Sequence, residues 1–212
     1  MRSLADEVPF DIPDSWEWVR LGSICEIARG GSPRPIKQYL TDAPDGVNWI
    51  KISDSDIGGK YINQTKEKII PEGVSKSRLV HKGDFLLTNS MSFGRPYIMK
   101  IEGCIHDGWL AISDFEDYII SDYLYYLLTS TSIQRAMEQK ASFGGAVSNL
   151  NAEIVRDIEI TIPSLEKQKE IVGILDKFDS LCNDLSAGLP AEIEHRQKQY
   201  EYYRDKLLTF KG

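Results

Sequence analysis

The sequence predicts an α+β fold: a mixed β-rich domain over residues 1–163, then a helical coiled-coil arm over residues 164–212. Three observations carry this. Short strand-like segments punctuated by glycines fill the chain up to Pro163. One amphipathic helical stretch interrupts them at 121–138, and beyond Pro163 the apolar residues recur at heptad spacing.

In chain order, residues 49–53 (WIKIS) and 156–162 (RDIEITI) alternate apolar and polar side chains, the period of a half-buried strand. Residues 84–88 (DFLLT) and 96–101 (PYIMKI) are rich in strand formers. Gly30 with Gly31, Gly58 with Gly59, Gly83, and Gly144 with Gly145 mark the bends between such segments. Residues 121–138 set Tyr123, Leu124, Leu127, Leu128, Ile133 and Met137 on one helical face, with Ser121 as the expected N-cap.

After Pro163 and Ser164, a helix start signal, Ile171, Leu175, Phe178, Cys182, Leu185 and Leu189 follow spacings of 4, 3, 4, 3 and 4. Ile174 and Leu181 widen this seam. Gly188 closes the first helix and Pro190 opens a second, which carries Ile193, Tyr200, Tyr203, Leu207 and Phe210. A helix over 165–187 is about 35 Å long at ~1.5 Å per residue. Such a stripe needs cover, either from the chain's own β domain or from another chain, a second copy or a partner subunit. The reading preferred here is the second, with Leu175, Phe178, Leu185, Tyr200 and Leu207 in the interface. Each large apolar side chain fully buried there contributes about 1.5–3 kcal/mol.

At 42% hydrophobic and 27% charged, the chain is of ordinary globular composition, which excludes disordered and collagen-like classes. No apolar run approaches the ~18 residues of a membrane helix, and the opening MRSLADEVPF has no apolar signal core. The expectation is a soluble, cytoplasmic protein. Cysteines at 25, 104 and 182 are too scattered for a disulfide framework or a zinc site and are expected to be free thiols.

The net charge of −7 argues against nucleic acid, but its distribution argues for it. Residues 29–40 hold Arg29, Arg34 and Lys37 with no acid. Residues 76–100 hold Lys76, Arg78, Lys82, Arg95 and Lys100 against Asp84 alone, and residues 101–122 hold six acids with no base. Screening over ~8 Å makes a surface answer to its own patch more than to the total.

Catalytic signatures are missing: no phosphate-binding GxxxxGK[ST], no GxGxxG after a strand, no HExxH, no GxSxG, and no methyltransferase-like Asn/Asp-Pro-Pro-Tyr/Phe. His81, His106 and His195 are far apart, so neither metal nor cofactor is expected. What remains is recognition chemistry on loops. RGGSPRPIK (29–37) offers Arg34 and Lys37, KISDSD (51–56) offers Lys51, TNSMSFGR (88–95) offers Asn89, Ser90, Ser92 and Arg95, and KASFGGAVSN (140–149) offers Ser148 and Asn149. Arg suits guanine, Asn suits adenine, and Lys and Ser suit phosphate. These nine are the expected DNA contacts.

The residues also carry a family resemblance. IPDSWEWVRLG (12–22) resembles the start of a target-recognition domain in specificity subunits of type I restriction–modification systems, and KGDFLL (82–87) with SFGR (92–95) resembles its strand–turn signature. FGGAVSNLN (143–151) through IEITIPSLEKQ (158–168) is similar to the junction with that family's conserved helix, and LPAEIEHRQKQYEYYRDKLL (189–208) to the helical region itself. Usual members carry two recognition domains and two helical regions, whereas this sequence has one of each and so resembles a half-subunit. The resemblance implies double-stranded DNA as a partner, one half of a split target read by residues 1–163, and a homodimer or a second half-subunit paired through the arm. It further implies separate modification and restriction subunits, with no catalysis by this chain. Two other readings stay open at this stage: a fragment of a DNA methyltransferase or endonuclease, and a helical adaptor that binds protein.

Overall fold

The computed structural model describes residues 16–89, 93–142, 149–185 and 190–208. Its strands are β1 (Glu17–Arg20), β2 (Glu26–Arg29), β3 (Leu40–Thr41), β4 (Val47–Ile50), β5 (Tyr61–Ile62) and β6 (Glu67–Ile69). These are followed by β7 (Arg78–Val80), β8 (Phe85–Thr88), β9 (Pro96–Met99), β10 (Gly103–Ile105), β11 (Trp109–Ser113) and β12 (Glu159–Ile162). The helices are α1 (Ser121–Thr129), α2 (Thr131–Ser142), α3 (Ala152–Arg156), α4 (Leu165–Leu185) and α5 (Pro190–Leu208).

Two five-stranded sheets, in the orders β2-β11-β8-β9-β5 and β3-β6-β4-β10-β7, stack to form the head. The inner sheet is covered on both faces, which is why β8 reads as an unbroken apolar run. Phe85 and Leu87 join Ile27, Ile98, Leu110 and Ile112 against Tyr123, Leu124, Leu127, Ile133 and Met137 of α1 and α2. Leu86 points the other way with Tyr97, Met99, Trp109 and Ala111, and meets Ile50, Val80 and Ile105 of the outer sheet. The period of 2 therefore sorts one strand's side chains into two cores. A small third cluster of Trp49, Ile69 and Cys104 lies on the far face of the outer sheet, under Ile36, Tyr39, Val47 and Val74.

β1 pairs antiparallel with β12, Glu17 opposite Ile162 through Arg20 opposite Glu159, and ties the start of the described chain to the junction with the arm. Arg156, expected in a strand, instead ends α3, whose N-cap is Asn151 accepting from the Ile154 amide at 2.9 Å. The helix expected over 121–138 is two helices. Ser130 is extended (φ −65°, ψ 146°), and its Oγ donates to the Leu127 carbonyl at 2.7 Å and accepts from the Ile133 amide at 3.4 Å. It thus closes one helix and caps the next. Ser121, the expected cap, is already the first helical residue, and Ile120 precedes it without a side-chain cap.

In the tail, α4 starts after Ser164, whose Oγ accepts from the Lys167 amide at 3.3 Å, and α5 starts at Pro190. The two helices pair with each other within the chain, Phe178 stacking on Tyr203 with ring centroids 5.9 Å apart. The base of this hairpin is docked on the head. Ile171, Val172 and Leu175 of α4 and Tyr200 and Leu208 of α5 belong to the same core cluster as α1 and α2. Tyr126 donates to Asp176 at 2.5 Å, Thr161 donates to the Leu208 carbonyl at 3.0 Å, and Arg204 donates to Thr131 at 3.2 Å. Leu181, Tyr202 and Tyr203 remain exposed.

Candidate nucleic-acid interface

The far face of the outer sheet carries a concavity of about 470 Å³. Its floor is Trp49, the third residue of β4, and its walls come from the turn that follows β2 and from the turn 106–108 between β10 and β11. Ser32, Arg34, Lys37, Lys51, Glu67, His106 and Asp107 all line it. Arg34, Lys37 and Lys51 came from two separate loops of the sequence and are here brought to one cleft.

Lys51 lies just past the end of β4, where its Nζ meets Glu67 Oε1 of β6 at 2.5 Å. Its backbone amide donates to Asp54 at 2.8 Å, which fixes the turn that presents it. Arg34 Nη2 is 3.5 Å from Asp107 Oδ2 with 82% of its side chain exposed, and Lys37 is exposed. The turn carrying Arg34 is pressed onto the 106–108 turn. Gly30 and Gly31 donate to the carbonyls of Trp109 (2.9 Å) and Ile105 (3.1 Å). A Cβ on Gly30 would sit 2.1 Å from the His106 carbonyl oxygen, so glycine is required there by contact.

Asp107 gathers the neighbouring loops. Its carbonyl accepts from Arg29 Nε at 3.0 Å and from Asn89 Nδ2 at 2.7 Å, and its Oδ1 accepts from Ser32 Oγ at 2.9 Å. The Ser32 hydrogen bond is the main reason its carboxyl lies below the ordinary aspartate range. Asn89 in turn receives the Leu150 amide on its carbonyl at 2.8 Å. Segments 29–34, 88–89 and 149–150 therefore meet around one turn. His106 is buried enough to hold its pKa below the usual value, and both ring nitrogens face backbone amides, Ile52 at 3.1 Å and Gly108 at 2.7 Å.

The other expected DNA contacts are placed as follows. Asn89 is 3% exposed and its amide is occupied within the chain. Arg95 is partly exposed just before β9, and its backbone amide donates to Thr88 at 3.1 Å. Asn149 is exposed beside Leu150, while Ser90, Ser92 and Ser148 lie outside the described residues. Of the expected interface, Leu175 (0% exposed) and Tyr200 (8%) are covered by the chain's own head. Phe178 and Leu207 are half-buried, and the Leu185 side chain is outside the described set. Asp107, His106 and Glu67 were not singled out from sequence. Asp107 is 75 residues from Ser32, and no local spacing announces that contact. Among the described residues no cluster of His, Cys, Asp and Glu could hold a metal, and no helix is long and apolar enough to cross a membrane.

Residues 13–195 match the family described as "Type I restriction modification DNA specificity domain". The chain belongs to this family. It is 31% identical over 202 residues to the specificity subunit of the type I restriction enzyme EcoR124I/EcoR124II of Escherichia coli, covering 92% of this chain and 48% of that protein. It is 46% identical over 207 residues to the type I restriction enzyme MpnII specificity subunit of Mycoplasma pneumoniae, covering 92% and 53%. The fold is shared with the crystal structure of the HsdS subunit from Thermoanaerobacter tengcongensis, at a TM-score of 0.66 and 21% identity, over 97% of this chain and 49% of that one. The chain spans about half the length of the curated relatives it matches. Family membership accounts for the α+β head and for the helices that follow it.

Proposed function

We propose that this chain is the non-catalytic address reader of a type I restriction–modification system, binding one half of a bipartite DNA target through its head. The observation that carries the reading is the cleft, which brings Arg34, Lys37 and Lys51 together with Glu67 and Asp107 around an apolar floor, a local cationic excess in a chain whose net charge is −7. The cations suit phosphate and guanine, and Glu67 is a ready acceptor for the amino group of cytosine. In this reading separate modification and restriction subunits dock on the chain and supply the chemistry.

Two such chains, pairing as a homodimer or with a different half-subunit, complete the reader. The positions left for that contact are on the outer half of the hairpin, Leu181, Tyr202 and Tyr203 with the half-buried Phe178 and Leu207. A homodimer recognises an interrupted palindrome, and a mixed pair an asymmetric target.

The direct test is the salt dependence of duplex binding by the chain with its modification subunit. Each phosphate neutralised contributes about −0.9 to the slope of log K against log salt. Replacing Arg34, Lys37 and Lys51 by Gln together should flatten the slope by about two to three units. An unchanged slope would contradict the assignment of this cleft.

A further inference from the structure

Resting on the DNA-reading proposal above, we propose that Asp107 is a positioning residue for that reading: it braces the recognition turn through Ser32 and holds Arg34 in an ion pair that a seated duplex must displace. The two halves of this role are separable in the geometry. The bracing half is tight. Ser32 Oγ donates to Oδ1 at 2.9 Å and accepts from the Asp107 amide at 3.4 Å, while the Asp107 carbonyl is taken by Arg29 and Asn89. With Gly30 packed against the His106 carbonyl, the turn has no slack in this region.

The Arg34 half is loose. Its contact with Oδ2 is 3.5 Å, through one nitrogen, on a side chain 82% exposed. Exposed pairs of this kind are weak, whereas a guanidinium on a phosphate makes shorter, paired hydrogen bonds. A phosphate that reaches the rim of the cleft therefore outcompetes the carboxylate. Until a phosphate arrives, Arg34 stays with Asp107, and every duplex that uses Arg34 must exchange the pair. The acid thereby lowers the affinity for DNA without changing which groups touch it.

The experiment compares wild type, Asp107→Asn, Arg34→Gln and the double variant, each with the modification subunit. Binding is measured to a labelled mixed-sequence duplex and to a duplex carrying the methylated motif, over a series of salt concentrations. Asn at 107 can still accept from Ser32 but no longer pairs with Arg34. Asp107→Asn should bind the mixed-sequence duplex about two- to fivefold tighter, with a salt slope steeper by about one unit, and the double variant should lose that gain. Arg34→Gln alone should weaken binding to both duplexes and flatten the salt slope by about one unit. Should Asp107→Asn fail to fold, Arg34→Gln decides: its loss should be smaller than that of Lys37→Gln, because Asp107 offsets part of what Arg34 contributes, and an equal or larger loss overturns the inference. A folded Asp107→Asn protein with unchanged or weaker mixed-sequence binding overturns the inference, as does a gain that survives in the double variant. Failure of the wild type to bind either duplex overturns the DNA-reading proposal itself.

Discussion

Gln168 is fully buried near the start of α4 and every polar atom of its side chain is used. Its Nε2 donates to the carbonyls of Tyr118 and Pro163, each at 2.9 Å, and its Oε1 accepts from the Ile120 amide at 2.9 Å. One side chain thus joins the arm to the turn before α1. Gln168→Leu fits the volume but strands an amide and two carbonyls, so denaturant unfolding should show a loss of about 2–3 kcal/mol. Lys60 plays a similar part at the sheet edge, with its Nζ 2.6 Å from Asp122 and 4.8 Å from the centre of the Tyr125 ring. The thiol of Cys25 is pushed up to about 12 by burial, which disfavours the thiolate, and it donates to the Leu21 carbonyl at 3.0 Å.

His106 gives a pH prediction at the same scale. Burial holds its folded pKa below 6.5, and a doubly protonated ring would aim its N–H groups at the Ile52 and Gly108 amides. In the unfolded chain the ring protonates near its ordinary value. The unfolded state therefore binds more protons below about pH 6.5, and the His106 contribution, complete above that pH, is lost as the pH falls through the folded value. Asp84, whose pKa burial raises, works in the opposite direction. The difference between wild type and His106→Asn isolates the first effect. The variant's melting temperature should fall less than that of the wild type between about pH 7 and pH 5.

At the scale of elements, the apolar spacing located both tail helices, and Pro163 with Ser164 and Gly188 with Pro190 located where they start. It could not say what the stripe packs on, because an apolar face has the same spacing whether its cover is the same chain or another. Leu175 and Leu181 separate the two outcomes. Leu175 is fully buried against the head, so Leu175→Ala should cost about 2–5 kcal/mol of stability. Leu181 is 53% exposed, so Leu181→Asp should leave stability nearly unchanged. The combination Leu181→Asp with Tyr203→Asp should abolish any dimer seen by sedimentation of the wild type. A dimer that survives it would place the contact elsewhere. The break at Ser130 was hidden for a different reason: the apolar face continues in register through Ile133 and Met137, and only the backbone turns. In the cleft, the cationic loops were legible because Arg34, Lys37 and Lys51 lie in short polar runs. Asp107 and Glu67 were not, since their roles arise from contacts 73 and 16 residues away in sequence.

For the whole molecule, a net charge of −7 is compatible with a cleft that holds three cations against Glu67 and Asp107, because most of the acids lie elsewhere. Six acids crowd residues 101–122, and of these only Asp107 lines the cleft. The hairpin is rooted in the head by Ile171, Leu175, Tyr200 and Leu208, so anything held at its outer half is held in fixed relation to the head. Beyond Leu175 the rest of α4 reaches about 15 Å further at ~1.5 Å per residue, and it carries the exposed Leu181. A second copy bound there would set the separation of two half-sites on the duplex.

The measurement that bears most directly on this account is a genome-wide map of methylated bases in cells carrying the chain beside its modification subunit. The account predicts a single interrupted motif, mirrored where the chain pairs with its own copy and asymmetric where it pairs with another half-subunit. That motif becomes degenerate in the half or halves read by this chain when Arg34 or Lys51 is replaced by Ala. A methylation pattern that persists unchanged through those replacements, or through deletion of the chain, would contradict it.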